Sequence, residues 1–292
     1  MLPPMVSFIT WNRLGLTCRN LSAILASEDD FELYLADSNS HDNTWEYLME
    51  LKDPRIKAKV RFDVNRGPIY AVNYHLSKRK ENQLFITVDN DVYIRKTNWV
   101  TLFTDAFRSF PEVGLLGAVS QEYMKRYNRT LVRKKNGNSS YLKITSGFVE
   151  GCCQCLSPQL LDLVGYWNEE CCVGDMEICH RIIKHTPFCV GFIPAIEIEQ
   201  PQVIACSECS ARTFCTLING GITCFDVYKD NYRNPHFRKC FIRKYQKYIK
   251  DLDNHNIPLY SGSIHDGRSL EAAPYNRRYA LENFNYYIEH SN

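Results

Sequence analysis

The chain has 292 residues, of which 45% are hydrophobic and 23% charged, and its formal net charge at pH 7 is +2. These values are typical of a globular protein with a sizeable core, either one large domain with an extension or two domains. A net charge so close to zero argues against bulk electrostatic binding to nucleic acid or to a membrane. The N-terminus has neither a basic segment nor a long apolar run, so we expect a cytoplasmic protein without a signal peptide or membrane span.

Thirteen cysteines are many for a cytoplasmic chain. The odd count and the two adjacent pairs, Cys152-Cys153 and Cys171-Cys172, make a poor disulfide framework. We therefore expect reduced cysteines, most of which serve as small buried apolar residues.

Apolar runs alternate with helical patterns over the first 120 residues. The predicted strands cover residues 6–10, 31–36, 56–64, 84–88 and 113–119, and the predicted helices cover 14–25, a stretch from about 44, 69–80 and 98–110. This alternation predicts a parallel, wound α/β sheet. Its first four strands each end in polar residues, which should lie at one edge of the sheet.

The fourth predicted strand ends in Asp89-Asn90-Asp91. A parallel strand delivers the residues that follow it to the carboxyl edge, where open α/β sheets bind ligands. In an extended chain the two carboxylates point to the same side, and carboxylates together with phosphate oxygens are the usual ligands of Mg²⁺. The alternative is an ordinary strand-to-loop junction that happens to contain acidic residues. Evidence for a metal site therefore has to come from the rest of the chain.

The regular alternation ends at residue 121. Residues 121–143 are polar and basic with an Asn136-Gly137 turn signal, and they predict a mobile loop or hairpin, either a solvated surface or a lid.

A helix over residues 158–164 should end at Gly165. The next helix carries Ile178 and Ile182 on one face, with Asp175 near its N-terminus, where the helix dipole favours a carboxylate.

Six segments between residues 6 and 200 follow one another in the order of a known family. They are the strand ending in Thr10-Trp11-Asn12-Arg13, the loop Asp37-Ser38-Asn39-Ser40, the run Asn65-Arg66-Gly67 with Ala71 and Asn73, the motif Asp89-Asn90-Asp91, Gly151 with the segment from Leu160 to Glu169, and Gly174-Asp175-Met176-Glu177. Together they resemble the family 2 glycosyltransferases of the GT-A fold. The resemblance implies a GT-A domain over residues 1–200, followed by a mainly helical, Cys- and Tyr-rich extension over 201–292.

The resemblance also implies the roles of individual residues in an inverting transfer from a nucleotide diphosphate sugar, most simply a UDP-sugar. Residues that would bind the donor are Thr10, Asn12, Asp37, Asn65, Arg66, Asp89 and Asn90, with Asp37 accepting a hydrogen bond from a uracil-type N–H. Asp91 and Asp89 would hold Mn²⁺ or Mg²⁺ on the diphosphate, where the metal offsets the charge of the leaving group. Asp175 would be the general base. Glu177, Arg181 and Trp167 would support the base or contact the acceptor, whether a glycan, a lipid-linked sugar or a protein.

The sequence departs from the family pattern at two places. Gly174 stands where the family has the first of two acidic residues, so any acceptor contacts of that carboxylate are absent. The late metal-binding histidine expected near residues 198–200 is also absent; water, Glu199 or His265 would complete the site, or metal dependence is weak. A helical histidine is more often a surface or core residue than a ligand, so His180 and His185 are not assigned to this site.

The tail beyond residue 200 lies outside the resemblance. Its Cys206, Cys209, Cys215 and Cys224 contain one Cys-x2-Cys half-site for structural Zn²⁺, but the wider second spacing favours buried free cysteines. A basic, aromatic helix over 237–252 should pack on the catalytic domain with its charged face in solvent, or else contact the acceptor or, peripherally, an anionic membrane. Residues 263–266 are polar and suited to folding back over the donor.

Three alternatives stay open at this point. A nucleotidyltransferase would share the sheet and the acidic site, but its usual Gly-rich first loop is absent. An inactive homologue would bind the nucleotide sugar without turnover, given Gly174 and the missing histidine. A metal-binding interaction protein would use the tail cysteines and show no affinity for nucleotides.

Overall fold

A computed structural model describes residues 2–120, 124, 130–171, 173–200, 212–214 and 235–289, with the backbone alone at 214 and 235–240. The cysteines considered for zinc, Cys206, Cys209, Cys215 and Cys224, lie outside these residues. Seven cysteines in the described ranges are free and five of these are buried, as expected for a reduced chain. Within the same ranges, no helix combines the length and apolar character needed to cross a membrane.

The N-terminal half forms the predicted wound α/β unit. Its elements are β1 (Met5–Thr10), α1 (Leu14–Leu25), β2 (Glu32–Asp37), α2 (Thr44–Glu50), β3 (Ile56–Arg61), α3 (Pro68–Leu76) and β4 (Phe85–Asp89). The strands lie in the order β3-β2-β1-β4 and are all parallel, with Thr10 beside Asp37 and Ile9 beside Asp89. The carboxyl ends of these strands therefore meet at one edge, which confirms the sequence prediction.

The other half of the sheet is mixed. Its elements are β5 (Tyr93–Ile94), α4 (Trp99–Ser109), β6 (Val113–Val119), the hairpin β7 (Leu131–Asn136) and β8 (Ser139–Ile144), β9 (Cys153–Leu156), α5 (Pro158–Val164), α6 (Gly174–His185) and β10 (Cys189–Glu199). β9, which was not among the predicted strands, lies antiparallel between β4 and β6. The chain reaches β9 from the hairpin through residues 145–152, without the helical crossover that parallel neighbours require. The order continues β6-β10-β8-β7, and β5 pairs with β10.

Apolar side chains cover both faces of the sheet. On one face, Trp99 of α4 is fully buried and contacts Phe31 and Phe103. On the other face, α3, α5 and α6 pack on the sheet, with Ile178 and Ile182 of α6 both fully buried. The predicted apolar face of α6 is therefore confirmed, and this packing fixes the helix that begins at Gly174.

The C-terminal extension packs on the face that carries α3 and α6. Its helices are α7 (Pro235–Asp253), α8 (Gly267–Ala272) and α9 (Arg277–Glu289), and α7 lies against α6, as expected for the basic, aromatic helix. Tyr70 of α3 contacts both the ring of His265 and the ring of Phe284 in α9. The extension is thus joined to the domain through aromatic packing as well as through the polar contacts described below.

His75 links β1 to α3 inside the domain. Its Nδ1 lies 2.7 Å from the hydroxyl of Ser7, and its buried ring is flanked by Tyr34 and Tyr74. Burial, with a smaller contribution from the charge of His265, lowers the pKa of His75 to about 3. The imidazole therefore stays neutral in the folded protein at any pH near neutrality.

We expect His75 to make the free energy of unfolding depend on pH. Because its folded pKa of about 3 is below its unfolded value of 6.5, its contribution is complete above pH 6.5 and is lost as the pH falls towards 3. Protonation of the unfolded state should remove about 2 kcal/mol between pH 7.5 and pH 5. The variant His75→Asn keeps an acceptor near Ser7 but does not titrate, so urea unfolding should show a shallower pH slope. Identical slopes in the two proteins would contradict this assignment.

Candidate active site

The buried carboxylate of Asp37 fixes the loop after β2. Its Oδ1 accepts hydrogen bonds from the hydroxyl of Thr10, at 3.1 Å, and from that of Ser40. Its Oδ2 accepts from the N–H of Ser40 at 3.0 Å and lies 3.4 Å from Nε of Arg61. A carboxylate has about four lone-pair sites, so these contacts saturate it. A nucleobase N–H that binds Asp37 would have to replace the longest contact, that with Arg61.

The turn after β1 has a strained backbone. Asn12 and Arg13 have φ angles of 54° and 62°, in the left-handed region that residues other than glycine rarely adopt. Two hydrogen bonds of 2.8 Å hold the turn, from the N–H of Asn12 to the hydroxyl of Ser40 and from the N–H of His41 to Oδ1 of Asn12. Strain of this kind persists where the surroundings enforce it, often at functional sites. Here Nη1 of Arg13 lies 2.8 Å from Oδ2 of Asp91.

The middle residue of the acidic motif faces the protein interior. Nδ2 of Asn90 donates to the carbonyl of Asn12 at 3.1 Å and to Oγ1 of Thr17 at 3.0 Å. The carbonyl of Asn90 accepts a hydrogen bond from Nδ2 of Asn20 at 2.8 Å. Asn90, predicted to contact the donor, therefore anchors the motif to α1 and to the turn before it.

The two carboxylates of the acidic motif, Asp89 and Asp91, lie close to that of Asp175 from a distant part of the chain. Burial raises the pKa of Asp89 well above its usual range; the charge of Asp91 adds to this effect, Arg13 opposes it, and Asp175 makes a smaller addition. Burial also raises the pKa of Asp175, against hydrogen bonds from backbone N–H groups at the start of α6 and from Gly151. Two carboxylates and one guanidinium, those of Asp91, Asp175 and Arg13, act on the charge of Asp89. The cluster therefore has a deficit of positive charge that a cation would correct.

The chemistry of this cluster fits a hard divalent cation. Asp89 and Asp91 offer carboxylate oxygens, which are the ligands that Mg²⁺ and Mn²⁺ prefer. Of the groups considered for completing the site, Glu199 forms ion pairs with two arginines, and His265 packs on α3 with Nε2 3.0 Å from the carbonyl of Tyr70. Both groups are engaged elsewhere, so Asp89 and Asp91 are the pair best placed to hold a metal.

The segment predicted to bind ribose and base lies under the C-terminal helix. Oδ1 of Asn65 accepts a hydrogen bond from the N–H of Gly67 at 2.9 Å, and Arg66 donates two hydrogen bonds to Asp63, at 2.5 and 3.2 Å. Gly67 has a φ of 87°, and a Cβ at this position would lie 2.4 Å from the ring of Tyr287 in α9. Sequence reasoning missed this contact because no local signal connects Tyr287 with a glycine more than 200 residues earlier.

The residues predicted to support the base or contact the acceptor are buried. Nε of Arg181 lies 2.6 Å from Oε1 of Glu177, and both side chains are fully buried within α6. Arg181 also donates to the carbonyls of Val164 and Leu259, at 2.6 and 3.2 Å. Trp167 is 4% exposed. A supporting role fits this placement, whereas contact with an acceptor would require the core to open.

Glu169 is a second buried carboxylate, and sequence reasoning missed its role. Its Oε1 accepts hydrogen bonds from Nδ2 of Asn73 at 2.9 Å and from the hydroxyl of Ser263 at 2.6 Å. Its Oε2 accepts from the N–H of Ile264 at 3.0 Å and from the hydroxyl of Tyr275 at 2.5 Å. One donor comes from α3 and three come from the extension. A single side chain therefore ties the extension to the domain.

Replacing Glu169 by alanine should loosen the extension. A hydrogen bond to a charged group contributes about 1.5–3 kcal/mol, and because the contributions of neighbouring groups are not additive, we expect a total loss of about 3–5 kcal/mol. Hydrogen exchange of residues 257–289 should become faster. The matched control is Glu170→Ala, which loses the hydrogen bond from the N–H of Asn276. Equal exchange rates in the two variants would show that Glu169 does not hold the extension.

Comparison with known proteins identifies the family of the N-terminal part. The sequence model described as glycosyl transferase family 2 matches residues 6–163, more than half of the chain. The matched segment contains Asp37, Asp89 and Asp91 and ends before Asp175. A search of curated proteins gave no match.

Many solved structures are similar to this chain, among them two glycosyl-donor complexes. The mannosyltransferase PcManGT from Pyrobaculum calidifontis, in complex with GDP-Man and Mn²⁺, aligns with a TM-score of 0.54 and 16% identity over 69% of this chain and 58% of that chain. TarS 1–349 from S. aureus, in complex with UDP-GlcNAc, aligns with a TM-score of 0.49 and 14% identity over 68% of this chain and 57% of that chain. The present chain thus matches less than two thirds of either protein, and the first likeness shows a shared fold.

Proposed function

The chain belongs to glycosyl transferase family 2 and has the GT-A fold, and we propose that it moves a sugar from a nucleotide diphosphate to an acceptor hydroxyl with inversion of the anomeric carbon. The observation that carries the proposal is the convergence of Asp89, Asp91 and Asp175 at the carboxyl edge of the sheet. A UDP-sugar is the first donor to test, because Asp37 is a suitable acceptor for the N–H of uracil. GDP is the second nucleotide to test, because the mannosyltransferase from Pyrobaculum calidifontis was solved with GDP-Man.

Asp89 and Asp91 are the residues that would hold Mn²⁺ or Mg²⁺ beside the donor diphosphate. The bound metal offsets the negative charge that develops on the leaving nucleoside diphosphate. Arg13 places a second positive charge at the same point, since its Nη1 lies 2.8 Å from Asp91. We expect this guanidinium to balance the carboxylate before the donor binds and to contact a phosphate afterwards.

Asp175 is the proposed general base. It would take the proton from the acceptor hydroxyl as that oxygen attacks the anomeric carbon, and a single displacement of this kind inverts the configuration. The N–H of Met176 donates to Oδ1 of Asp175 at 2.8 Å and orients the carboxylate at the start of α6. Burial raises its pKa, which makes it a stronger base than an exposed aspartate.

The glycine that precedes Asp175 has a structural explanation. A Cβ on Gly174 would lie 3.1 Å from Ile69 and 3.2 Å from Trp167. An acidic side chain at this position would have to push these apolar groups apart. Close packing of Ile69 and Trp167 against the start of α6 therefore explains why glycine, and not an acidic residue, stands at position 174.

The extension over residues 201–292 is proposed to border the acceptor side of the domain over 1–200. A cavity of about 560 Å³ lies between the extension and residues 168–170, which lead into α6. Its lining includes Tyr248, Tyr275, Tyr279 and Lys244. Aromatic faces with a few polar groups are suited to binding an organic ligand, and a sugar hydroxyl can pair with the polar groups.

Calorimetry tests the class of donor. UDP, GDP and dTDP are titrated into the purified chain with and without Mn²⁺, beside Asp91→Asn and the control Asp105→Asn on the exposed side of α4. We expect one nucleotide to bind in an Mn²⁺-dependent way, at least about tenfold more weakly in Asp91→Asn and equally well in Asp105→Asn. Failure of all three nucleotides to bind in either condition would overturn the proposed function.

The variant Asp175→Asn separates catalysis from donor binding. Loss of the general base should lower kcat about 10²–10⁴-fold, while the Kd of the nucleotide should stay nearly the same because the diphosphate is held by other residues. Release of the nucleoside diphosphate from its sugar donor, with an acceptor or with water, measures turnover. Asp105→Asn should behave like the wild type. A wild-type chain that binds the nucleotide sugar and never releases the free nucleotide would instead be an inactive binding protein.

A further inference from the structure

Three potential metal ligands meet where α6 contacts α7. Nε2 of His180 and Nε2 of His185 lie 2.8 and 2.7 Å from the same oxygen, Oδ1 of Asp253. The histidines lie in the second half of α6, and Asp253 is the last residue of α7. Their side chains are 19%, 14% and 46% exposed, so solvent and ions reach the cluster from the side of Asp253.

The donor atoms of this cluster match Zn²⁺. Zinc sites combine imidazole nitrogens with carboxylate oxygens, whereas Mg²⁺ and Mn²⁺ prefer oxygen ligands. The three donor atoms already lie within 4.8 Å of one another. At metal–ligand distances of about 2.0–2.2 Å, tetrahedral geometry separates the donor atoms by about 3.3–3.5 Å. A shift of about 0.6 Å by the half-exposed Asp253 side chain would reach this spacing.

A third histidine borders the same cluster. The ring of His255 lies 6.0 Å from that of His185, and the rings of His180 and His185 are 5.9 Å apart. His255 has a φ of 57°, so the chain bends sharply just after α7 and returns towards the two histidines. Two imidazoles on one carboxylate oxygen, with a third ring beside His185, are more than an ordinary surface ion pair requires.

The cluster is separate from the proposed reaction centre. Asp175 and His185 lie at opposite ends of α6, and ten residues of helix at 1.5 Å each correspond to about 15 Å. The cluster joins α6 of the domain to α7 of the extension. A metal at this position would therefore be structural.

We propose that His180, His185 and Asp253 form a structural Zn²⁺ site that fastens the C-terminal extension to the catalytic domain. On binding, both Nε2 atoms and Oδ1 of Asp253 coordinate the ion in place of the two hydrogen bonds. The hydrogen on each Nε2 moves to Nδ1 when the ring is neutral, or leaves to solvent when the ring is an imidazolium. The bound ion holds α7 on α6 and thereby holds the segment that leads to Leu259, whose carbonyl accepts from Arg181.

The test is a Zn²⁺ titration of the full, EDTA-treated chain by calorimetry. The double variant His180→Gln/His185→Gln keeps side-chain N–H donors near Asp253 but loses the imidazoles. The control Asp251→Asn removes a charge from the same helix end, where Asp251 pairs with Lys247. Asp253→Asn is a second variant, should the double variant fail to fold. Loss of an outer-shell partner costs about 10–100-fold in affinity, so loss of ligands should weaken this site at least about 100-fold.

The expected result is one equivalent of Zn²⁺ that the wild type and Asp251→Asn bind and that the ligand variants lack. Zn²⁺ should also raise the Tm of the first two proteins more than that of the ligand variants. The proposal would be overturned if all variants bound Zn²⁺ with the same stoichiometry and affinity. It would also be overturned if Asp251→Asn lost Zn²⁺ binding to the same extent as the ligand variants. Co²⁺ in place of Zn²⁺ checks the ligands, because a thiolate charge-transfer band in the difference spectrum would assign the metal to cysteines instead.

Discussion

The attachment of the C-terminal extension depends on the buried carboxylate of Glu169. Removing a carboxylate from water costs several kcal/mol unless its lone pairs are satisfied, and Glu169 has all four of its acceptor sites filled. Three of the four donors belong to the extension, so the domain alone would leave this carboxylate largely unsatisfied. Burial and the charge of Glu169 raise the pKa of Tyr275, which therefore remains a hydrogen-bond donor. Docking of the extension and burial of Glu169 are consequently one event.

The carboxylates at the sheet edge, unlike Glu169, have other carboxylates as close neighbours. Asp89 and Asp91 lie close enough for one charge to disfavour the other, and Asp175 adds to this effect. Where Glu169 is surrounded by neutral donors, this cluster has Arg13 as its described counter-charge. Such an arrangement is unfavourable in the unliganded protein, and under the proposed function a bound cation would relieve it. The contrast separates the carboxylates that hold the fold together from those available for chemistry.

Much of the fold could be predicted because its signals are local. Apolar runs located β1, β2 and β4, and the polar residues after them identified the edge at which these strands end together. The spacing of Ile178 and Ile182 predicted the buried face of α6. The antiparallel β9 could not be predicted, since a short apolar strand carries no information about the direction of its neighbours. The orientation of Asn90 towards α1 was also hidden, because its partners lie about 70 residues away in the chain.

The contacts of the extension were hidden for the same reason. The i,i+4 spacing of Glu177 and Arg181 is compatible with an exposed ion pair, and only the packing of Leu259 and Val164 around the guanidinium shows that the pair is buried. His180 and His185 were interpreted as ordinary helical histidines because their common partner, Asp253, lies about 70 residues further along.

Helix α6 connects these observations, because it carries groups of three kinds along its length. Asp175 lies in its first turn, Arg181 in its middle and His185 at its end. The extension contacts the middle and the end of the helix: the carbonyl of Leu259 accepts from Arg181, and Asp253 pairs with His185. A helix is stiff over twelve residues, so contacts that fix its middle and its end also restrict the position of its first turn. The extension therefore contributes to the placement of the proposed base from contacts that lie one to three turns away from it.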